Sequence, residues 1–165
     1  MAPFSPNTVP AGNVSSADKM EPASYRILVV DDEPAIVDLI LVILRRCRLT
    51  ADSASSGRKA QQLINRAQYD LVISDLCMPE MDGLALLQWI KESRPEIAVI
   101  LMTGVLAADK KTEAEEQGAA DFLPKPFAPK QILAAIERCR QRSRRKEKKP
   151  SSAFHPSLDM DCRQC

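Results

Sequence analysis

The sequence predicts an α/β domain built around a parallel sheet, and three observations carry that prediction. From Tyr25 onward, short apolar runs alternate with stretches of helical apolar period, the pattern of repeated βα units. The run at 97–102 is apolar throughout, as a strand covered on both faces must be. Four runs end at polar residues: Asp31 and Asp32, Asp75, Thr103, and Lys125. In open α/β sheets a ligand binds off the carboxyl ends of the strands. These five residues are therefore expected to converge on one pocket holding three carboxylates, a hydroxyl and an ammonium.

The elements follow in order. The first strand covers Ile27 to Val30. A helix should begin at Pro34, a residue suited to a first helical turn, with Asp32 or Glu33 at its N-terminus. Ile36, Ile40, Ile43, Leu44 and Cys47 share the face of that helix. A weak strand is expected near 49–54, and a helix near 58–67 buries Ala60, Leu63 and Ile64. The third strand runs from Leu71 to Asp75. Residues 79–83 form a loop, in which Pro79 and Gly83 read as turn formers, and the helix after it turns Leu84, Leu87 and Ile90 to one side. After the fourth strand at 97–102, a polar helix near 107–117 ends at Gly118, a plausible C-cap. A short fifth strand at 120–123 precedes a last helix that starts near Pro129 and faces Ile132, Leu133 and Ile136 inward.

Size and composition set the frame. A chain of 165 residues with 45% hydrophobic content makes one ordinary domain, with about forty residues to spare. Aromatics supply only 4%, so aliphatic side chains must fill the core. Residues 1–24 are rich in Pro, Ser and Ala without apolar period and read as a disordered leader; 25–142 is the folded domain, and 143–165 a basic, then Ser/Pro-containing, disordered tail. The five cysteines are odd in number and widely spread, which reads as reduced thiols. No secretory signal and no stretch near the roughly 18 apolar residues of a membrane span is present, so the expected location is cytoplasmic.

Taken singly, each polar strand end has an ordinary explanation. An Asp at 31 or 32 can cap a helix, a Thr can end a strand, and a Lys is usually a solvated charge. Together they define chemistry. Three crowded carboxylates repel one another, and a hard cation such as Mg²⁺ resolves the repulsion through oxygen ligands. Ionised Asp75 could then act as a nucleophile toward phosphorus, since carboxylates form aspartyl-phosphate intermediates. Lys125 and the cation could offset charge on the phosphoryl oxygens, and Thr103 could bond another.

The stretches ILVVDDEP, LVISDLCMPEMDG, VILMTG and ADFLPKPF resemble, in order and spacing, the receiver domain of two-component response regulators across residues 25–142. The resemblance implies a flavodoxin-like, doubly wound five-stranded sheet in order 2-1-3-4-5 with five helices. It implies that Asp75 is the phosphoacceptor, and that Mg²⁺ (or Mn²⁺) is held by Asp31, Asp32, Asp75 and the backbone carbonyl of Cys77. Thr103 and Lys125 would hold phosphoryl oxygens, Phe122 would be the switch aromatic, and Pro126 would follow a cis peptide. In the family, the positions of Cys77 and Val105 flank the path of the hydrolytic water. Neither side chain suits orienting water, so slow self-dephosphorylation is expected.

The implied partner is a sensor histidine kinase or a histidine phosphotransfer protein, and the implied role is that of a phosphoacceptor switch rather than an enzyme. After the last helix no output domain fits, so a stand-alone switch is expected. Residues 138–149 carry eight basic side chains against Glu147 alone, a local charge of +7 within a total of +1. That run could bind nucleic acid or anionic membrane; it reads more simply as a solvated helix extension followed by disorder, so nucleic acid is not an expected partner. The alternative is a receiver-gated adaptor whose basic tail engages nucleic acid, membrane or a protein. His155, Cys162 and Cys165 fall short of a structural zinc site.

Overall fold

Alternation along each strand divides the core in two. Ile27 and Val29 point to one side of the sheet, Leu28 and Val30 to the other, and all four are fully buried. The computed structural model describes residues 25–104 and 110–147, the side chains of Lys146 and Glu147 excepted. Val105, the leader and residues 148–165, with His155, Cys162 and Cys165, lie outside the described residues.

Five parallel strands alternate with five helices: β1 (Arg26–Val30), α1 (Pro34–Arg46), β2 (Thr50–Ala54), α2 (Gly57–Arg66), β3 (Leu71–Asp75), α3 (Gly83–Ser93), β4 (Ala98–Thr103), α4 (Lys110–Glu116), β5 (Asp121–Pro124) and α5 (Pro129–Glu147). The sheet order is β2-β1-β3-β4-β5, the order that the family resemblance implies, in a flavodoxin-like fold. Ile40, Leu44, Ile132 and Ile136 of α1 and α5 close one face over Ile27, Ile73 and Ile100. Ala60, Ile64, Leu87, Ile90 and Ala114 of α2, α3 and α4 close the other over Leu28, Val72 and Val99. Aliphatic side chains do fill both layers, as the scarcity of aromatics requires.

Local chemistry sets the helix starts. Pro34 opens α1 behind Glu33, whose side chain makes no capping bond. Asp31 Oδ1 instead accepts from the Glu33 amide at 2.9 Å, so a site carboxylate fixes the turn into α1. Ser56 and Asp82 cap α2 and α3, accepting from Lys59 N and Ala85 N. Gly118, two residues past α4, adopts φ +90°, and its amide and that of Ala119 return to Glu115 and Ala114 carbonyls.

Strands β2, β4 and β5 each sit one residue later at the start than the sequence indicates, and β4 and β5 also end one later, at Thr103 and Pro124. The reason is the ladder: residues that read as punctuation still pair, Thr103 with Pro124 among them. Helix α5 also continues to Glu147, past position 142, so the first part of the segment read as a disordered tail is helical.

Candidate functional site

The ladder brings the polar strand ends to one edge. Val30 pairs with Ser74, Asp75 with Met102, and Thr103 with Pro124. The next residues along, Asp31 and Lys125, therefore emerge beside Asp75 and Thr103. The Lys125 amide donates to the Thr103 carbonyl at 2.6 Å, and the Lys125–Pro126 peptide is cis.

One oxygen from each of Asp31, Asp32 and Asp75 lies within 4.8 Å of the others. Asp31 is 1% exposed and Asp75 6%, whereas Asp32 faces solvent. Lys125 bridges the two buried carboxylates, its Nζ lying 2.8 Å from Asp31 Oδ2 and 2.7 Å from Asp75 Oδ1. Asp75 Oδ2 accepts from the Cys77 amide at 3.1 Å. Burial alone would lower the Lys125 pKa, but the hydrogen bonds to Asp31 and Asp75 outweigh it, and the pKa rises above its ordinary 10.5. The lysine is thus held charged.

Three carboxylates against that one ammonium leave two negative charges in excess. Hard oxygen donors at this spacing suit a divalent cation such as Mg²⁺, which readily accepts one or two carboxylates alongside other oxygens. The chemistry of the donor set therefore fits the cation that the sequence implies.

Thr103 is 4% exposed, and its hydroxyl donates to the Gly104 carbonyl at 2.9 Å rather than to a site carboxylate. Phe122, on β5, is half-buried against the α2–α3–α4 side of the core. Cys77 is exposed at the rim.

Two residues escape sequence reasoning. Gly83, there a mere turn former, has an essential lack of bulk: a Cβ would stand 2.3 Å from the Asp75 carbonyl oxygen and 2.9 Å from Leu76 Cα. The first turn of α3 can press on the backbone of Asp75 only because position 83 carries no side chain, and the Gly83 amide donates to the Leu76 carbonyl at 2.9 Å. The Asp75-to-Gly83 loop was the available signal. Lys59 on α2 lines a groove of about 140 Å³ together with Asp31, Asp32, Ser53 and Ser55; nothing in its local sequence marks it.

Comparison with known proteins places the arrangement. The family model described as response regulator receiver domain matches residues 27–137. The DNA-binding dual master transcriptional regulator RpaA of Synechocystis sp. is 34% identical over 135 residues, 81% of this chain and 55% of its own. The DNA-binding transcriptional regulator NtrC of Proteus hauseri is 37% identical over 127 residues, 77% of this chain and 27% of its own. A response regulator receiver domain protein from Clostridium thermocellum superposes with a TM-score of 0.71 at 31% identity, covering 73% of this chain and 98% of that one. NtrX of Brucella abortus gives 0.71 at 35% identity, over 74% of this chain and 28% of its own.

The chain thus spans about half or less of the length of these curated relatives. Their length lends no support to the expectation of a stand-alone switch. Their names, as DNA-binding regulators, lend none to the expectation that nucleic acid is no partner.

Proposed function

This chain belongs to the response regulator receiver domain family of two-component signalling, and we propose on that premise that Asp75 is the residue that takes up a phosphoryl group. The observation that supports this choice is positional. Strand β3 is the middle strand, so Asp75 stands next to Asp31 on one side and Thr103 on the other. Its carboxylate also lies between Lys125 Nζ and the Cys77 amide. Asp31 is more deeply sealed, and Asp32 lacks the lysine.

The donor is a phosphohistidine of a sensor histidine kinase or a histidine phosphotransfer protein. The P–N bond breaks, its electron pair leaves with the imidazole, and a P–O bond to an Asp75 oxygen forms. Lys125 neutralises phosphoryl oxygens from its present place, and Thr103 turns its hydroxyl from Gly104 to another. Asp31, Asp32, Asp75 and the backbone carbonyl of Cys77 are the groups that would hold Mg²⁺ or Mn²⁺. Such a cation offsets charge on the transferred group. The protein acts as a phosphoacceptor switch, and we place it in the cytoplasm; among the described residues no helix is long and apolar enough to cross a membrane. Cell fractionation that recovers the chain elsewhere would refute that location.

Acetyl phosphate with Mg²⁺ tests the reading. The intact mass should rise by one phosphoryl group, and the rise should disappear on chelation and in Asp75→Asn. Undiminished labelling of the Asn variant would reject Asp75.

A further inference from the structure

Charge is segregated on this molecule. Residues 138–149 carry +7, which leaves the remainder at −6 within the total of +1. The fold organises much of that run, because α5 is helical to Glu147 and carries Arg138, Arg140, Arg142, Arg144 and Arg145.

Arg138, Gln141, Arg142 and Arg145 line one shallow groove of about 140 Å³. The three arginines recur at i, i+4 and i+7, the spacing of a single helical stripe. At 1.5 Å of rise per residue, the stripe is about 10.5 Å long. Asp121 neutralises Arg138, accepting from Nε at 2.8 Å and from Nη2 at 2.6 Å. Arg142 donates to the Ala120 carbonyl at 2.6 Å, an acceptor without net charge. Among the described residues neither Arg142 nor Arg145 has an acidic partner. Two guanidiniums therefore open onto the groove with their charge uncompensated.

The chemistry of the face narrows the partner. Its exposed side chains (Glu137, Arg138, Gln141, Arg142, Arg144, Arg145) include no apolar group, so it lacks what insertion into a lipid interface needs. Arginine is the cation throughout the stripe, and its planar fork matches the paired oxygens of a phosphate. Several fixed charges along one line suit a polymer of phosphates.

We propose that the Arg138–Arg142–Arg145 stripe of α5 binds the phosphodiester backbone of a nucleic acid duplex. Affinity then arises from counterion release, and base sequence contributes little. The inference rests on α5 alone and not on the role of Asp75.

Fluorescence anisotropy with the full chain and labelled 20-base-pair duplexes of two unrelated sequences tests it. If the two uncompensated arginines neutralise about two phosphates, log K should fall against log salt with a slope of about −1.8, roughly twelve-fold between 50 and 200 mM. Both duplexes should bind alike. Arg142→Gln with Arg145→Gln should weaken binding at least tenfold and flatten the slope by about 1.8. Arg144→Gln with Arg145→Gln, which removes no hydrogen bond of the fold, should weaken it in the same direction. Circular dichroism should show both variants folded. Asp75→Asn without phosphodonor should bind as the parent does, which keeps failure here separate from failure at Asp75. Absence of binding at 50 mM salt, or indifference to both double variants, would overturn the proposal. So would a more than tenfold preference for one duplex. Equal affinity for polyglutamate or for phosphatidylserine vesicles would also overturn it, pointing to an acidic protein or a membrane instead.

Discussion

Lys125 sets the charge balance at the site. Its Nζ touches Asp31 and Asp75, and those bonds raise its pKa against the lowering effect of burial. A pKa raised on folding means that the stabilisation is complete below the ordinary 10.5 and is lost as pH climbs through the higher folded value. Lys125→Gln should therefore destabilise the protein by about 2 kcal/mol near neutrality, between the magnitudes for exposed and buried pairs. Urea denaturation should show the gap from the parent closing only above pH 10.5. Removal of the ammonium also leaves three carboxylates without their counter-charge, so calorimetric titration should find tighter Mg²⁺ binding in the variant. Weaker binding would contradict the charge balance described here.

We propose that Cys77 and Val105 bear on how long the phosphoryl group lasts. Hydrolysis needs a water in line with phosphorus, and positioning is a large part of phosphoryl-transfer catalysis. A thiol is a weak donor and valine has no hydrogen bond to give. We expect slow decay, with termination left to a phosphatase or to back-transfer. Cys77→Asn combined with Val105→Glu should speed decay roughly tenfold, if about 1.4 kcal/mol of water positioning is gained. A lifetime unchanged or longer in the double variant would refute the assignment.

At the scale of elements, the packing of α3 on the end of β3 holds Asp75 in place. Gly83→Ala must displace either the first turn of α3 or the Asp75 carbonyl, since a 2.3 Å approach cannot stand. Overpacking of this kind costs about 1–3 kcal/mol, and thermal melts should show the loss. Because the strain falls on the backbone of Asp75, uptake from acetyl phosphate should slow as well. A variant with parental stability and uptake would show that the contact relaxes freely.

A second element-level expectation concerns signal transmission. Thr103 ends β4, while Phe122 sits on the neighbouring β5 against the α2–α3–α4 side of the core. Movement of Thr103 toward phosphorylated Asp75 would open space for Phe122 and alter the surface of α4, β5 and α5, a local charge event biasing a two-state surface. Thr103→Ala should still accept phosphate yet lose most phosphate-dependent NMR shifts over residues 110–135. Shifts equal to the parent's would disprove the coupling.

What could be read from the sequence follows from what each signal records. Apolar runs and helical period record burial, so the strands and helix faces were legible, down to Ile40 and Leu44 on α1 and Leu87 and Ile90 on α3, whereas the strand order came only from the family resemblance. The convergence of Asp31, Asp32, Asp75 and Lys125 followed from strand ends sharing an edge. Period says nothing about backbone pairing beyond the apolar residues, which is why Thr103 and Pro124 fell outside their predicted strands. It is equally silent on close approach, so only the loop from Asp75 to Gly83 hinted at the demand on Gly83. Charge density at 138–149 read as a solvated extension of the last helix, because the sequence does not show that Arg138, Arg142 and Arg145 line a groove along it.

Over the whole molecule, cavity size is a poor guide to chemistry. A cavity of about 440 Å³ opens at the amino ends of the strands, bordered by Tyr69, Ile97, Ala120 and Cys139. No residue of the carboxyl-end cluster borders it. The cluster is shallow, and only its juxtaposed charges reveal it. The central claim, that the carboxyl edge of the sheet directs phosphorus to one carboxylate, is tested most directly by trapping the adduct. The full chain would be labelled with acetyl phosphate and Mg²⁺, reduced with borohydride, which converts an acyl phosphate to the alcohol, and mapped by peptide mass. The account predicts conversion at Asp75 alone; conversion at Asp31 or Asp32, or at a carboxylate away from the cluster, would contradict it.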